Sequence, residues 1–295
     1  MDLEEIFCSI DDFYLCFQEN INFKLIENHQ RKARKISRLS LSEVMTIMIY
    51  FHQSSYRNFK AYYQEKIMKH HQKEFPCLVS YNRFVELIPY TLIPLICYVN
   101  TQKGHCTGIS FIDSMGIPIC HKKRAKRNKV FKGLAAWGKS SVDWYFGFKL
   151  HLIINEMGEI LAFQVTPGNV DERKPVPFLS QNLWGNLFGD KGYIYQKLFD
   201  TLFENNLKLV TPYKKTMKNK LVDLWEKLML RKRSLIETVN DQLQNISQLL
   251  HSRHRSVTNF MVNIIAGLIA YSFQEKKPSL KLDKEEEIML PVLAI

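Results

Sequence analysis

Three acidic residues, far apart in the chain, stand where a carboxylate needs a partner. The stretch Gly108-Ile109-Ser110-Phe111-Ile112-Asp113-Ser114-Met115-Gly116-Ile117 is apolar on both parities and reads as a central strand covered on both faces. Asp113 then points the same way as Ile109, Phe111 and Met115. An unpaired carboxylate in such surroundings is costly or takes up a proton, so a cation, a metal or a set of donors is expected to meet it. A capped strand end hydrogen-bonded to a loop is the simpler alternative. The second acid closes another short apolar run, Asn186-Leu187-Phe188-Gly189-Asp190-Lys191-Gly192-Tyr193. Glycines on either side of Asp190 let backbone or ligand approach closely, although a plain turn aspartate has the same look. The third, Glu237, falls on a helix expected over about 222–250, off the apolar stripe of Leu224, Leu228, Leu235, Val239, Ile246 and Leu250. Arg233, Asp241 and Gln244 share its face, a polar strip that looks either into a cleft or out to water.

The elements between these residues decide whether they can meet. Residues 144–155 and 160–166 are aromatic and β-branched runs joined by Glu156-Met157-Gly158-Glu159, a hairpin signature. Helices are expected over 175–183 and 196–205, with a further strand over 207–212. The order is strand with Asp113, hairpin, helix, strand with Asp190, helix, strand, then the helix of Glu237. It fits an α/β fold with a ribonuclease H-like mixed sheet and flanking helices. Such a sheet can set two strand ends side by side and lay a helix across them. Two aspartates and a glutamate converging there suit two hard divalent cations, Mg²⁺ or Mn²⁺, without which the charges would repel.

Positive charge lies nearby. His121-Lys122-Lys123-Arg124-Ala125-Lys126-Arg127-Asn128-Lys129-Val130-Phe131-Lys132 carries seven cations and must be a solvated loop or a phosphate-binding arm; its place beside the Asp113 strand favours the arm. A basic link (Lys214, Lys215, Lys218, Lys220) and the basic helix end His251-Ser252-Arg253-His254-Arg255 add to it. His105-Cys106 and Cys120-His121 bracket the same strand and allow a Cys₂His₂ zinc site, against which their spacing argues. Over the whole chain, 41 Lys plus Arg against 29 Asp plus Glu give a net charge of +12, which points to a polyanion and to nucleic acid before a membrane.

Residues 1–105 show helical periodicity throughout and read as an all-helical N-terminal domain, a candidate DNA-binding domain. Ser40-Leu41-Ser42-Glu43 is a capping box, and Val44, Ile47, Met48 and Phe51 form the apolar stripe behind it. Residues 56–69 place Arg57, Lys60, Lys66 and Lys69 among Phe59, Tyr62 and Tyr63, as in a helix-turn-helix head or an ordinary amphipathic helix. The expected partition is 1–105, a catalytic domain over 106–275 and a charged tail over 276–295. Six scattered cysteines with no C-x-x-C pair imply reduced thiols in a cytoplasm. The acidic start lacks a signal-peptide pattern, and the apolar windows 87–99 and 257–273 read as buried helices, so no membrane partner is expected.

The motifs Phe111-Ile112-Asp113-Ser114, Phe146-Gly147-Phe148-Lys149-Leu150-His151, Thr166-Pro167-Gly168-Asn169-Val170-Asp171, Phe188-Gly189-Asp190-Lys191-Gly192-Tyr193 and Arg233-Ser234-Leu235-Ile236-Glu237-Thr238 together resemble those of the DDE transposases of bacterial insertion sequences, most closely the insertion-sequence 982 family. The likeness runs over about 80–275. It implies a transposase that cleaves and joins double-stranded DNA, at element ends and target, as a homo-oligomer, with Asp113, Asp190 and Glu237 as the catalytic, metal-binding triad. It further implies DNA contacts from Lys122, Lys123, Arg124, Lys126, Arg127, Lys129, Lys191, Arg233, Arg253 and Arg255. Arg233 fits the Tyr, Arg, Glu, Lys signature of the related insertion-sequence 4 superfamily, but Leu230 and Gln244 stand where its tyrosine and lysine are expected. A nuclease of the same fold, or an inactive DNA-binding repressor, is the alternative.

Overall fold

The computed structural model describes residues 1–27, 37–140, 143–213, 223–250 and 254–281, and the packing separates two compact units. The first joins Met1–Gln102 to Leu243–Glu275 and is helical. The expected capping box forms: Ser40 Oγ accepts from the Glu43 amide at 3.1 Å while Glu43 returns a bond to the Ser40 amide. Val44, Ile47, Met48 and Phe51 are all buried behind it. The aromatic-rich stretch runs as Phe59–Ala61, a π-helical turn Tyr62–Ile67 and Met68–His70, with Tyr62 and Tyr63 buried and Lys66 stacked over the Tyr50 ring. One helical stretch, Tyr81–Thr101, is long and apolar enough to cross a membrane by length and composition, yet Leu87, Leu95, Tyr98 and Val99 are buried as in a core helix.

The sequence groups residues up to 275 with the catalytic segment, whereas packing draws Leu243–Glu275 to the N-terminal unit. The reason is helix Val257–Ser272, apolar on nearly every side, which packs on helices Leu41–Phe51 and Leu92–Thr101. His52, buried on the same unit, meets the Ser247 carbonyl at 2.5 Å through Nδ1, and burial drops its pKa to about 4.

The second unit, Lys103–Gln242 with residues from Lys276 on, is built on one mixed sheet. Its strands are β1 (Ile109–Cys120), β2 (Ala136–Lys139), β3 (Trp144–Asn155), β4 (Ile160–Pro167), β5 (Gly185–Phe188) and β6 (Leu207–Val210). Central β3 pairs antiparallel with β1 along one edge; β2 (against Trp144 to Gly147) and β4 (against Phe148 to Ile154) share the other. On the far side of β1, β5 and β6 continue in parallel. Both faces of β1 are covered, since Phe111, Ile112 and Met115 are buried, as its unbroken apolar run requires.

Two expectations need correction. The single helix expected over 222–250 is two, Leu224–Lys232 and Ser234–Asn245, broken at Arg233. Burial follows one stripe through both helices, Trp225, Met229, Ile236, Val239 and Leu243, rotated from the expected one: Leu235 and Val239 of the expected set are buried, but Leu224 and Ile246 are exposed. The zinc reading also fails. Cys106 and Cys120 flank opposite ends of the 12-residue β1, roughly 35 Å apart at the rise of a strand. Lys214, Lys215, Lys218, Lys220, Arg253 and residues 282–295 of the charged tail lie outside the described residues.

At the β1–β3 contact, a Cβ on Gly147 would collide with the Ile117 carbonyl oxygen. Gly147→Ala is therefore expected to lower stability by about 2 kcal/mol or more, read as a drop in denaturation midpoint at unchanged m-value. A midpoint equal to wild type would show that the two strands are not this close.

Candidate active site

Strand pairing sets the first two acids. β5 runs parallel to β1 with Ile109 opposite Asn186, Ser110 opposite Leu187 and Phe111 opposite Phe188. Beyond this last pair β1 runs on through Asp113, while β5 ends and Asp190 caps the turn Lys191–Tyr193, near enough for its charge to push the Asp113 carboxyl up. The preceding aromatic pair fixes this junction: the rings of Phe111 and Phe188 are 5.6 Å apart, and Phe188 meets Trp225 of the helix Leu224–Lys232 at 5.6 Å.

Burial raises the Asp113 carboxyl to about 6; the Ser114 amide and the charge of Arg233 pull it down, while Asp190 and Glu172 push it up. Asn240 Nδ2 donates to Asp113 Oδ2 at 3.0 Å. Asn240 lies three residues after Glu237, one turn along the same side of helix Ser234–Asn245. The helix carrying Glu237 is thereby tied to the strand carrying Asp113.

A fourth carboxylate joins them. Glu172, in the turn after β4, accepts from Lys149 Nζ at 3.1 Å, and the same ammonium donates to the Val170 carbonyl at 3.2 Å. Gly192 lies between acids: a Cβ there would sit 2.9 Å from Asp190 Oδ1 and 3.4 Å from Glu172 Oε2. Next to it, Tyr193 is fully buried with its ring against Gly189, and its hydroxyl has no hydrogen-bond partner among the described residues. Burial, then the charges of Asp113, Glu172 and Asp190, raise that hydroxyl well above the ordinary tyrosine value.

Glu237 is held differently. Its Oε1 accepts from Arg233 Nη2 at 2.5 Å, and its side chain is 53% exposed. The Arg233 charge also reaches Asp113 and Tyr193, so one guanidinium lies in the field of both groups of acids. Among the described residues no group of three or more His, Cys, Asp or Glu side chains is disposed to hold a metal ion. Asp113 thus feels the charges of Asp190 and Glu172 without the three forming such a group, while Glu237 is paired with Arg233. The donors nonetheless suit a hard cation: carboxylate oxygens around Asp113, a position at Gly192 that no Cβ fills, and two buried oxygens, Tyr193 Oη and Asn240 Oδ1, without partners.

The basic arm folds into a 3₁₀ turn, Lys122–Arg127, and Lys122, Lys123, Arg124, Lys126, Arg127 and Lys129 are all exposed. Lys122 is ion-paired to Asp143. Lys191 is exposed one residue after Asp190, and Arg255 is exposed in the helical unit. Sequence reasoning missed Glu172, Tyr193 and Asn240 as site residues and gave Lys149 no role of its own. Lys149 had a signal, a lone cation in the apolar run Phe148 to Leu152, and Asn240 stands one turn from Glu237. Glu172 had none, because it follows Asp171 and precedes Arg173, which pair with each other.

A family model described as a transposase DDE domain matches residues 103–257, more than half of the chain. No match was found among curated proteins or solved structures.

The Asp113 environment has a testable consequence. Its folded pKa of about 6 lies above the ordinary 3.8, so the fold disfavours the charged form. The cost is absent below about pH 4, where both states are protonated, and fully present above pH 6. Without divalent metal, Asp113→Asn is expected to melt higher than wild type at pH 8, by roughly 2–4 °C, and level with it near pH 4. A variant that melts lower at pH 8, or by the same margin at both pH values, would contradict this.

Proposed function

The chain belongs to the transposase DDE domain family, and from that membership we propose a transposase of a bacterial insertion sequence, similar to the insertion-sequence 982 family. It binds the element's DNA ends in the cytoplasm, as a homo-oligomer, and carries out cleavage and strand transfer with Asp113, Asp190 and Glu237 as its catalytic acids. The observations that support this reading are the β1–β5 pairing, which ends two residues before Asp113 and Asp190, the charge of Asp190 felt at the Asp113 carboxyl, and the bond from Asn240 of the Glu237 helix to Asp113. The sheet order β2-β3-β1-β5-β6, antiparallel on one side of β1 and parallel on the other, supports a ribonuclease H-like core.

Asp113, Asp190 and Glu237 would hold two Mg²⁺ or Mn²⁺ ions, which supply an activated water and stabilise charge on the leaving oxygen. Every other part is done by the chain itself. Glu237 leaves Arg233 to join the aspartates, and the freed guanidinium turns to DNA phosphate, for which its planar fork is suited. Lys149 pairs with Glu172 and offsets part of the charge that this acid adds to Asp113. Exposed Lys122, Lys123, Arg124, Lys126, Arg127, Lys129 and Lys191 hold the DNA backbone, and Arg255 adds a contact from the helical unit. The helices of residues 1–105 read the terminal sequence.

Incubated with element-end DNA and Mn²⁺, the wild type is expected to nick the end and join its 3′-hydroxyl to target DNA. Asp113→Ala, Asp190→Ala and Glu237→Ala are each expected to lose at least about 10³-fold in rate, the scale of removing a transition-state charge partner. Cleavage that survives in any of the three would reject the triad; cutting without joining in the wild type would leave a nuclease.

A further inference from the structure

The β2–β3 hairpin presents a face that neither the core nor the proposed catalysis uses. Trp137 pairs with Phe146, and Lys139 with Trp144, so all four side chains project from one face. Trp137 is 41% and Trp144 53% exposed, and the Trp137 and Phe146 rings lie 5.6 Å apart. The opposite face fixes this orientation. Tyr145 is buried against Gly116 and Gly138, where a Cβ at either position would strike its ring, so Trp144 and Phe146 must turn outward.

Two exposed indoles within one hairpin are unusual on a protein surface unless something covers them. Their neighbours say what. The cationic turn Lys122–Arg127 follows directly on Cys120, which pairs with Phe146, and packs on β3. Lys122 is ion-paired to Asp143, the residue before Trp144. Lys139 rises from the aromatic face itself, and Lys123, Arg124, Lys126 and Arg127 are exposed on the turn that packs on β3. Flat aromatic surface bordered by cations matches a strand whose bases are free to stack and whose phosphates need neutralising. In a duplex the bases are already stacked on each other, and an acidic protein would offer the indoles nothing to stack on them.

Trp144 and Phe146 stand on the same face of β3 as Leu152, the partner of Asp113. At the rise of a strand the platform lies on the order of 20 Å along the sheet from that aspartate. We propose that this face binds single-stranded DNA, with bases stacked on Trp137 and Trp144 and phosphates on Lys139 and the Lys122–Arg127 turn. The choice of DNA rests on the transposase reading; the stacking chemistry does not.

The test is equilibrium binding of the full chain, without divalent metal, to three labelled probes of about a dozen nucleotides: oligothymidine, the same backbone without bases, and a blunt duplex. Trp137→Ala and Trp144→Ala are each expected to weaken oligothymidine binding about tenfold, as loss of a base-stacking contact does, with the salt dependence unchanged. Base-free strand and duplex are expected to bind the variants as they bind wild type, and Trp137→Phe and Trp144→Phe to retain most of the oligothymidine affinity. Unchanged oligothymidine affinity in both alanine variants would overturn the proposal. So would an equal loss for the base-free strand, or a protein dimer that dissociates in the variants while oligothymidine binding persists. None of these readings depends on cleavage, so loss of the platform and loss of the catalytic assignment are separately visible.

Discussion

The parallel pairing of β1 with β5 is the constraint on which the rest of the site depends. Only three residue pairs define it, ending on Phe111 and Phe188, and two residues beyond them stand Asp113, within β1, and Asp190, in the turn after β5, 77 positions apart in sequence. A slip of one residue would turn Asp190 to the opposite face of the sheet and leave Asp113 alone. Aromatic packing guards against that slip. Phe188 is gripped between Phe111 and Trp225, so the register, the sheet and the first of the two C-terminal helices are fixed by one stack of rings.

Bringing carboxylates together has an electrostatic cost, and the surrounding residues offset it in separate ways. Lys149 holds Glu172, Arg233 holds Glu237, and Asn240 donates to Asp113. The Asp113 carboxyl is still pushed up to about 6, first by burial and then by the charges of Asp190 and Glu172. A cation bound beside Asp113 would offset both its burial and the charges of its acidic neighbours. The buried hydroxyl of Tyr193, set in the field of the acids and without a hydrogen-bond partner among the described residues, belongs to the same picture.

Local pattern made much of the sheet legible. The apolar run around Asp113, the hairpin at Met157-Gly158, the run ending at Asp190 and the capping box at Ser40 all announce themselves within a few residues. What was not legible is non-local or lacks a marker. β2 is four residues, Ala136-Trp137-Gly138-Lys139, behind a block of cations, and forms because β3 is there to pair with it. The break at Arg233 has neither proline nor glycine to signal it, and the buried stripe through Trp225, Met229, Ile236 and Leu243 is rotated from the leucine-rich one on both sides of it. Glu172 reaches the acids through the tertiary path of the β4 turn, which no spacing in the chain reveals.

The central claim is that Asp113 and Asp190 together form a divalent-cation site. It is tested most directly by titrating the full-length chain with Mn²⁺ and following the signal of the free ion by electron paramagnetic resonance. The account predicts saturable uptake by the wild type that is lost in the double variant Asp113→Asn, Asp190→Asn, with both proteins folded. Equal uptake by the two proteins would contradict it.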